Sequence, residues 1–180
     1  MKGYKLYISK SKNIKTTFLI IVFIFLTHIV LSQNGEIVFN IAFDKYEAGD
    51  FKGAIENYTK CIALEPNLAE AYHNRAMAKT NLKDFQGAIL DHDKAISIDS
   101  TKADYFYNRA RAKYFYNDLI GCLIDNSIVI QMNPNFGLAY LNRGLVRVMI
   151  GNKKVGCEDL IKAKELNVAN MQAILDEYCK

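Results

Sequence analysis

Asn74-Arg75-Ala76, Asn108-Arg109-Ala110 and Asn142-Arg143-Gly144 follow one another at intervals of 34 residues. Self-similarity at a fixed period of roughly 20 to 50 residues marks a stacked-repeat architecture. One period further back stands Asn40-Ile41-Ala42, so four units begin near Gly35, Ala69, Ala103 and Gly137. Other columns keep the same register. Small residues recur at Ala42, Ala76, Ala110 and Gly144 and again at Ala54, Ala88, Cys122 and Gly156, with Val38, Tyr72, Phe106 and Tyr140 as bulky partners. Small side chains at fixed positions let two helices approach closely.

Within each unit the apolar residues recur every three or four positions, which predicts helix, and the pattern breaks once near the middle. The breaks are Gly49-Asp50, Lys83-Asp84, Asn117-Asp118 and Gly151-Asn152, so each unit reads as a helical hairpin. Pro66 and Pro134 close units one and three, because proline cannot continue a helix and biases the residue before it away from helical angles. A lone hairpin cannot bury its own apolar face. Adjacent copies therefore stack around one continuous core, and the product is a solenoid.

The chain resembles the tetratricopeptide repeat family over residues 35 to 167. Unit one carries Gly49-Asp50-Phe51, Ala54-Ile55, Tyr58, Ile62-Ala63-Leu64 and Pro66, and unit two carries Tyr72, Ala76, Asp84-Phe85, Ala88-Ile89, Ala95-Ile96 and Ile98. Ser100 replaces the usual proline of unit two. Leu119 and Lys153 replace the second-helix aromatic, and Cys122 and Gly156 its alanine. The resemblance implies an all-α, right-handed superhelical solenoid with repeats at 35–68, 69–102, 103–136 and 137–167. Beyond Asn167, residues 168–180 read as an amphipathic capping helix, with Met171, Ile174, Leu175 and Tyr178 on one stripe and Gln172, Asp176, Glu177 and Lys180 outside.

Composition agrees with a folded helical chain. It is 51% hydrophobic with two prolines, enough apolar surface for a core and too little turn chemistry for a many-turned β fold. The net charge of +4 arises at the start of the chain. Lys2, Lys5, Lys10, Lys12 and Lys15 precede any acid, which leaves 18 basic residues against 19 acidic ones after residue 32. Such a neutral body lacks the counterion-release drive of a phosphate binder, so no nucleic acid partner is expected.

The lysines are followed by an apolar run, Phe18 to Leu31, and then Ser32-Gln33. Basic region, apolar stretch and small residue together describe an export signal at 1–32, expected to be cut between Ser32 and Gln33. Export implies a bacterial-type periplasm or cell envelope, or secretion. The alternative is an uncleaved anchor meeting the membrane through residues 16–31, although a spanning helix wants about 20 apolar residues and this run is shorter.

Arg75, Arg109 and Arg143 fill a column that is commonly apolar in the family, and Asp91, Asp125 and Asp159 stand sixteen residues after them. Unit one has Ile41 and Asn57 instead, so arginine and aspartate occur together or not at all. They are expected to form structural ion pairs across each hairpin. Cys157 and Cys179 fall on the last hairpin helix and the cap, close enough in chain and space to form a disulfide. Cys61 and Cys122 occupy small-residue columns and read as buried thiols.

Candidates for chemistry are few. His28 belongs to the signal, which leaves His73 and His92, and neither a phosphate loop nor a spaced metal cluster occurs. No enzyme activity, cofactor or metal is expected. In the tetratricopeptide family the first helices line a concave groove that holds partners. Carried over by position, that groove presents Phe39, Phe43, Tyr46, His73, Asn74, Met77, Tyr107, Asn108, Arg111, Tyr114, Leu141, Asn142, Leu145 and Val148. The recurring asparagines, Asn40 included, either hold a ligand's main chain or bond neighbouring helices. One subgroup of the family clamps chaperone carboxyl tails, but Phe39 and Phe43 occupy the first-unit clamp positions here, and Asp104 stands where a cation is needed. The resemblance thus implies a non-catalytic scaffold for a protein or peptide, with membrane-tethered assembly factor as the alternative and enzyme accessory module as a remote third.

Overall fold

The computed structural model describes residues 18–23 and 34–180. The lysine-rich start, His28 and the expected cut between Ser32 and Gln33 lie outside the described residues. Residues 18–23 are helical, with Phe18, Leu19, Ile21 and Phe23 exposed. Among the described residues, no helix is long and apolar enough to cross a membrane.

All regular structure among the described residues is helical. The stack comprises α1 (34–47), α2 (Phe51–Leu64), α3 (Ala69–Asn81), α4 (Phe85–Ile98), α5 (Ala103–Phe115), α6 (Leu119–Met132), α7 (Gly137–Met149), α8 (Lys153–Glu165) and α9 (Met171–Tyr178). From α2 onward each helix packs on the next, and α3 also meets α5, so first helices of neighbouring hairpins share one face. The fold is an all-α solenoid of stacked hairpins.

One turn design is used four times. Gly49, Lys83, Asn117 and Gly151 all have positive φ, between 63° and 86°. The following residue's N–H reaches back five positions: Asp50 to Lys45 O, Asp84 to Lys79 O, Asp118 to Lys113 O and Asn152 to Arg147 O. This left-handed closure satisfies carbonyls that a helix end would otherwise orphan. The second helix then starts on a side-chain cap in three hairpins. Asp50, Asp84 and Asp118 accept from the N–H groups of Gly53, Gly87 and Gly121 at 2.8–3.0 Å. Such a cap contributes about 1 kcal/mol. Asn152 makes no side-chain cap bond.

The core runs the length of the stack through repeated columns. Ala42, Ala54, Ala76, Ala88, Ala110 and Cys122 are buried where paired helices cross, and Gly144 and Gly156 do the same in the last hairpin. A Cβ at Gly156 would sit 2.8 Å from the Gly144 carbonyl, so these two backbones approach more closely than an alanine pair allows. Tyr58, His92, Asn126 and Leu160 form a further column, each fully buried.

The capping helix expected from Val168 starts at Met171 instead. Asn167 and Asn170 both take left-handed backbone, and Val168 N–H bonds Ala163 O to close α8. The chain therefore turns before it can resume a helix, and α9 folds back with Met171, Ile174, Leu175 and Tyr178 against Leu160 and Ala163.

Candidate binding groove

Each arginine of the repeated triplet is fully engaged by the protein. Arg75 Nε and Nη2 donate to Asp91 at 2.8 and 2.6 Å, Arg109 does so to Asp125 at 2.8 and 2.6 Å, and Arg143 to Asp159 at 2.8 Å twice. The third nitrogen crosses to the preceding hairpin, reaching Thr59 Oγ1, Asp93 Oδ1 and Ser127 Oγ respectively. Each guanidinium also lies over an aromatic ring of its own helix, Tyr72, Phe106 or Tyr140. A second cation completes every aspartate: Lys79 on Asp91, Lys113 on Asp125 and Arg147 on Asp159, at 2.6–2.9 Å. With all three guanidinium nitrogens bonded to protein acceptors, the arginine column is a clamp within and between hairpins.

The second cations escaped sequence reasoning, although Lys79, Lys113 and Arg147 also recur at the 34-residue interval, one helical turn after the arginines. Lys45 of the first hairpin keeps the column but not the partner. With Asn57 in place of an aspartate, Lys45 binds Asp50 at 2.9 Å.

The cysteines divide as chain position requires. Cys157 and Cys179 are disulfide-bonded, with Cα atoms 5.7 Å apart. Cys61 and Cys122 are buried free thiols, and burial pushes each up to about 11. Among the described residues, no group of three or more His, Cys, Asp or Glu side chains is placed to hold a metal.

Several of the positions expected along the groove are occupied with packing. Phe39 stands edge-on to Tyr58 at 5.5 Å, and Tyr107 packs on Phe136 at 5.0 Å. Leu141, Leu145 and Val148 join the terminal core around Leu160. His73 lies 4.7 Å from the Tyr105 ring and 5.2 Å from His92, and burial lowers it to about 4. Asn108 donates to Asp104 O one turn back. The Phe43, Arg111 and Tyr114 side chains remain exposed.

Between the packed positions the face opens into cavities at the seams. A polar one of about 130 Å³ is walled by Tyr46, Met77, Asn81, His92, Asn108 and Arg111, with Thr80 beside them. A largely apolar one of about 180 Å³ is walled by Arg111, Tyr114, Phe115, Cys122, Asn142, Leu145 and Val146. A third, of about 300 Å³, lies beside Glu70, His73, Asn74, Lys102 and Asp104. Asn81, His92, Phe115 and Val146 are not among the groove residues expected from the sequence. No repeat pattern announces them, since a seam cavity depends on how unlike side chains of two hairpins fill the space between.

The arrangement defines a repeat scaffold with seam cavities, one of them largely apolar. Residues 44–81 match the family described as TPR repeat, and residues 69–102 match Tetratricopeptide repeat. No curated protein sequence matches the chain. Among solved structures, the chain is similar to MamA at TM-score 0.73 and 24% identity, over 74% of this chain and 78% of that one. The first TPR of Spaghetti (RPAP3) bound to the HSP90 peptide SRMEEVD aligns at TM-score 0.64 and 22% identity, over 66% and 94%. YrrB, a TPR protein with an unusual peptide-binding site, aligns at 0.66 and 17%, over 72% and 66%. Residues 44–102 thus carry tetratricopeptide repeats, and the solenoid as a whole has the tetratricopeptide fold.

Proposed function

We propose that this chain is an exported, non-catalytic scaffold that holds an extended segment of a protein or peptide along its concave face. The observation that carries the reading is the pairing of exposed Phe43, Arg111 and Tyr114 with seam cavities on the face shared by the first helices. A stacked array presents this surface already shaped, so the ordering cost falls on the partner segment alone. The peptide complex of RPAP3 and the peptide-binding site of YrrB support this use of the fold.

A photo-crosslinking amino acid placed at Phe43 or Tyr114 should capture the partner, whereas the same probe at Leu90, exposed on a second helix, should not. Capture from Leu90 alone would move the working surface to the other side. Export rests on the basic start followed by the apolar run. Mass spectrometry of the mature chain should find Gln33 first; an intact Met1 or Lys2 in the membrane fraction would replace export with tethering.

A further inference from the structure

His92 is fully buried, and neither of its ring nitrogens has a hydrogen-bond partner. A buried polar ring without partners is costly, and burial holds this one neutral, its pKa well below the ordinary histidine value, with His73, Arg109 and Arg111 adding to the effect. Asn81 and Thr80 have given their protons to Tyr46, Met77 O and Ala76 O, but three other neighbours in the polar cavity keep donors to give. Tyr46 accepts from Asn81 and keeps its own proton to give. Asn108 uses one amide proton on Asp104 O, and its oxygen accepts from Arg111. Arg111 has further N–H groups free of that bond. Arg111 is the one charged residue in this lining, and no acid stands opposite it.

A donor-rich, positively charged recess matches a carboxylate, which only accepts and can take several donors at once. Its volume of about 130 Å³ far exceeds the roughly 10–15 Å³ needed for one water, so a side-chain head group fits. Arg111 also walls the apolar cavity between the third and fourth hairpins, beside Tyr114, Leu145 and Val146. The two recesses are therefore neighbours across a single side chain. In an extended segment, residues two apart point the same way and lie about 7 Å apart, within the reach of one arginine.

We infer that the partner segment carries an acidic residue and an apolar residue two positions apart, the carboxylate seated between Tyr46, Asn108 and Arg111 above His92 and the apolar side chain in the cavity over Cys122. This deepens the groove reading and rests on it. Phe39, Phe43 and Asp104 depart from the pattern of the chaperone-tail clamp, and the proposed contact uses none of the three.

The test uses the full chain and four capped pentapeptides: acetyl-Gly-Leu-Gly-Glu-Gly-amide, its reversed order Glu-Gly-Leu, and the two matching peptides with glutamine for glutamate. Binding is followed by fluorescence anisotropy of labelled peptides and by NMR shifts of the His92 ring. In one of the two orders the glutamate peptide should bind at least about tenfold more tightly than its glutamine partner, as charge-assisted hydrogen bonds require. It should also shift the His92 signals. Arg111→Gln, at an exposed position that leaves the core intact, should erase the preference. Equal binding of glutamate and glutamine peptides would overturn the carboxylate site, and so would failure of all four to bind. Either failure leaves the groove reading standing if Phe43 and Tyr114 probes still capture a partner.

Discussion

Arg109 grips Asp125 through two parallel bonds, at 2.8 and 2.6 Å, and spends its remaining nitrogen on Asp93 of the preceding hairpin at 2.6 Å. One side chain thereby fixes both the pairing of α5 with α6 and the seating of that pair on α4. The Asp125 carboxylate is fully buried and also receives Lys113. Removing it leaves the largely buried Lys113 without its partner and Arg109 with only the half-exposed Asp93. Asp125→Asn should therefore lower stability by about 3 kcal/mol or more, the usual result when one member of a buried pair is lost. Urea denaturation gives the measurement. A change under 1 kcal/mol would show that the clamp is ornamental.

The first hairpin shows how the network can be absent without harm. There Ile41 and Asn57 replace arginine and aspartate, and Lys45 turns to Asp50. The second hairpin offers the same escape, because Asp84 stands to Lys79 as Asp50 does to Lys45. Asp91→Asn alone should be strongly destabilising, since Arg75 and Lys79 lose their shared partner. Adding Arg75→Ile should restore about half of that loss or more, a coupling that a double-mutant cycle reads directly. Simple additivity of the two changes would refute the pairing as the source of the effect.

Two imidazoles make the fold sensitive to mild acid. Burial lowers His73 to about 4, against a small opposing pull from Asp104, and burial also holds His92 well below its ordinary value. The unfolded chain takes up these protons near pH 6.5 while the folded chain refuses them. Stability is thus complete above pH 6.5 and falls as pH drops through the window between 6.5 and about 4. From pH 7.5 to 5 the His73 contribution alone is about 2 kcal/mol. Denaturation midpoints measured from pH 7.5 to 5 should fall for the wild type and fall less steeply in His73→Gln, where His92 alone remains. An equally steep fall in that variant would assign the sensitivity elsewhere.

The residues that repeat were legible in the sequence, and those that break the repeat were less so. Gly49 and Gly151 announce left-handed turns by lacking a Cβ, but Lys83 adopts the same φ of 63° with no such advertisement, held there by the bond from Asp84 N–H to Lys79 O. The arginine and aspartate columns declared their pairing by disappearing together from the first unit. Lys79, Lys113 and Arg147 keep their period too, but it signals no partner, because the lysine persists in the first unit where the aspartate is missing. At the groove, helix face was readable and occupancy was not. Whether Tyr107 faces solvent or packs on Phe136 depends on the loop that joins the third hairpin to the fourth. The recess at His92 likewise needs Tyr46, Asn81 and Arg111 from three different hairpins to meet.

The far end of the stack depends on a covalent tie. Helix α9 has only eight residues, too few for a helix to persist alone, and it covers Leu160 and Ala163 with a narrow apolar stripe. Cys157 and Cys179 join α8 to the end of α9 across a sequence separation of 22. By loop closure such a tie contributes about 3 kcal/mol. Because each layer of a solenoid contacts only its neighbours, the loss in Cys157→Ser/Cys179→Ser should stay local. Amide exchange over residues 171–178 should accelerate roughly a hundredfold, the kinetic equivalent of that energy, while α2 to α5 exchange as before. Unchanged exchange in α9 would mean that Met171, Ile174, Leu175 and Tyr178 hold the cap unaided, whereas acceleration spreading back to α2 would mean that the stack unfolds as one cooperative unit.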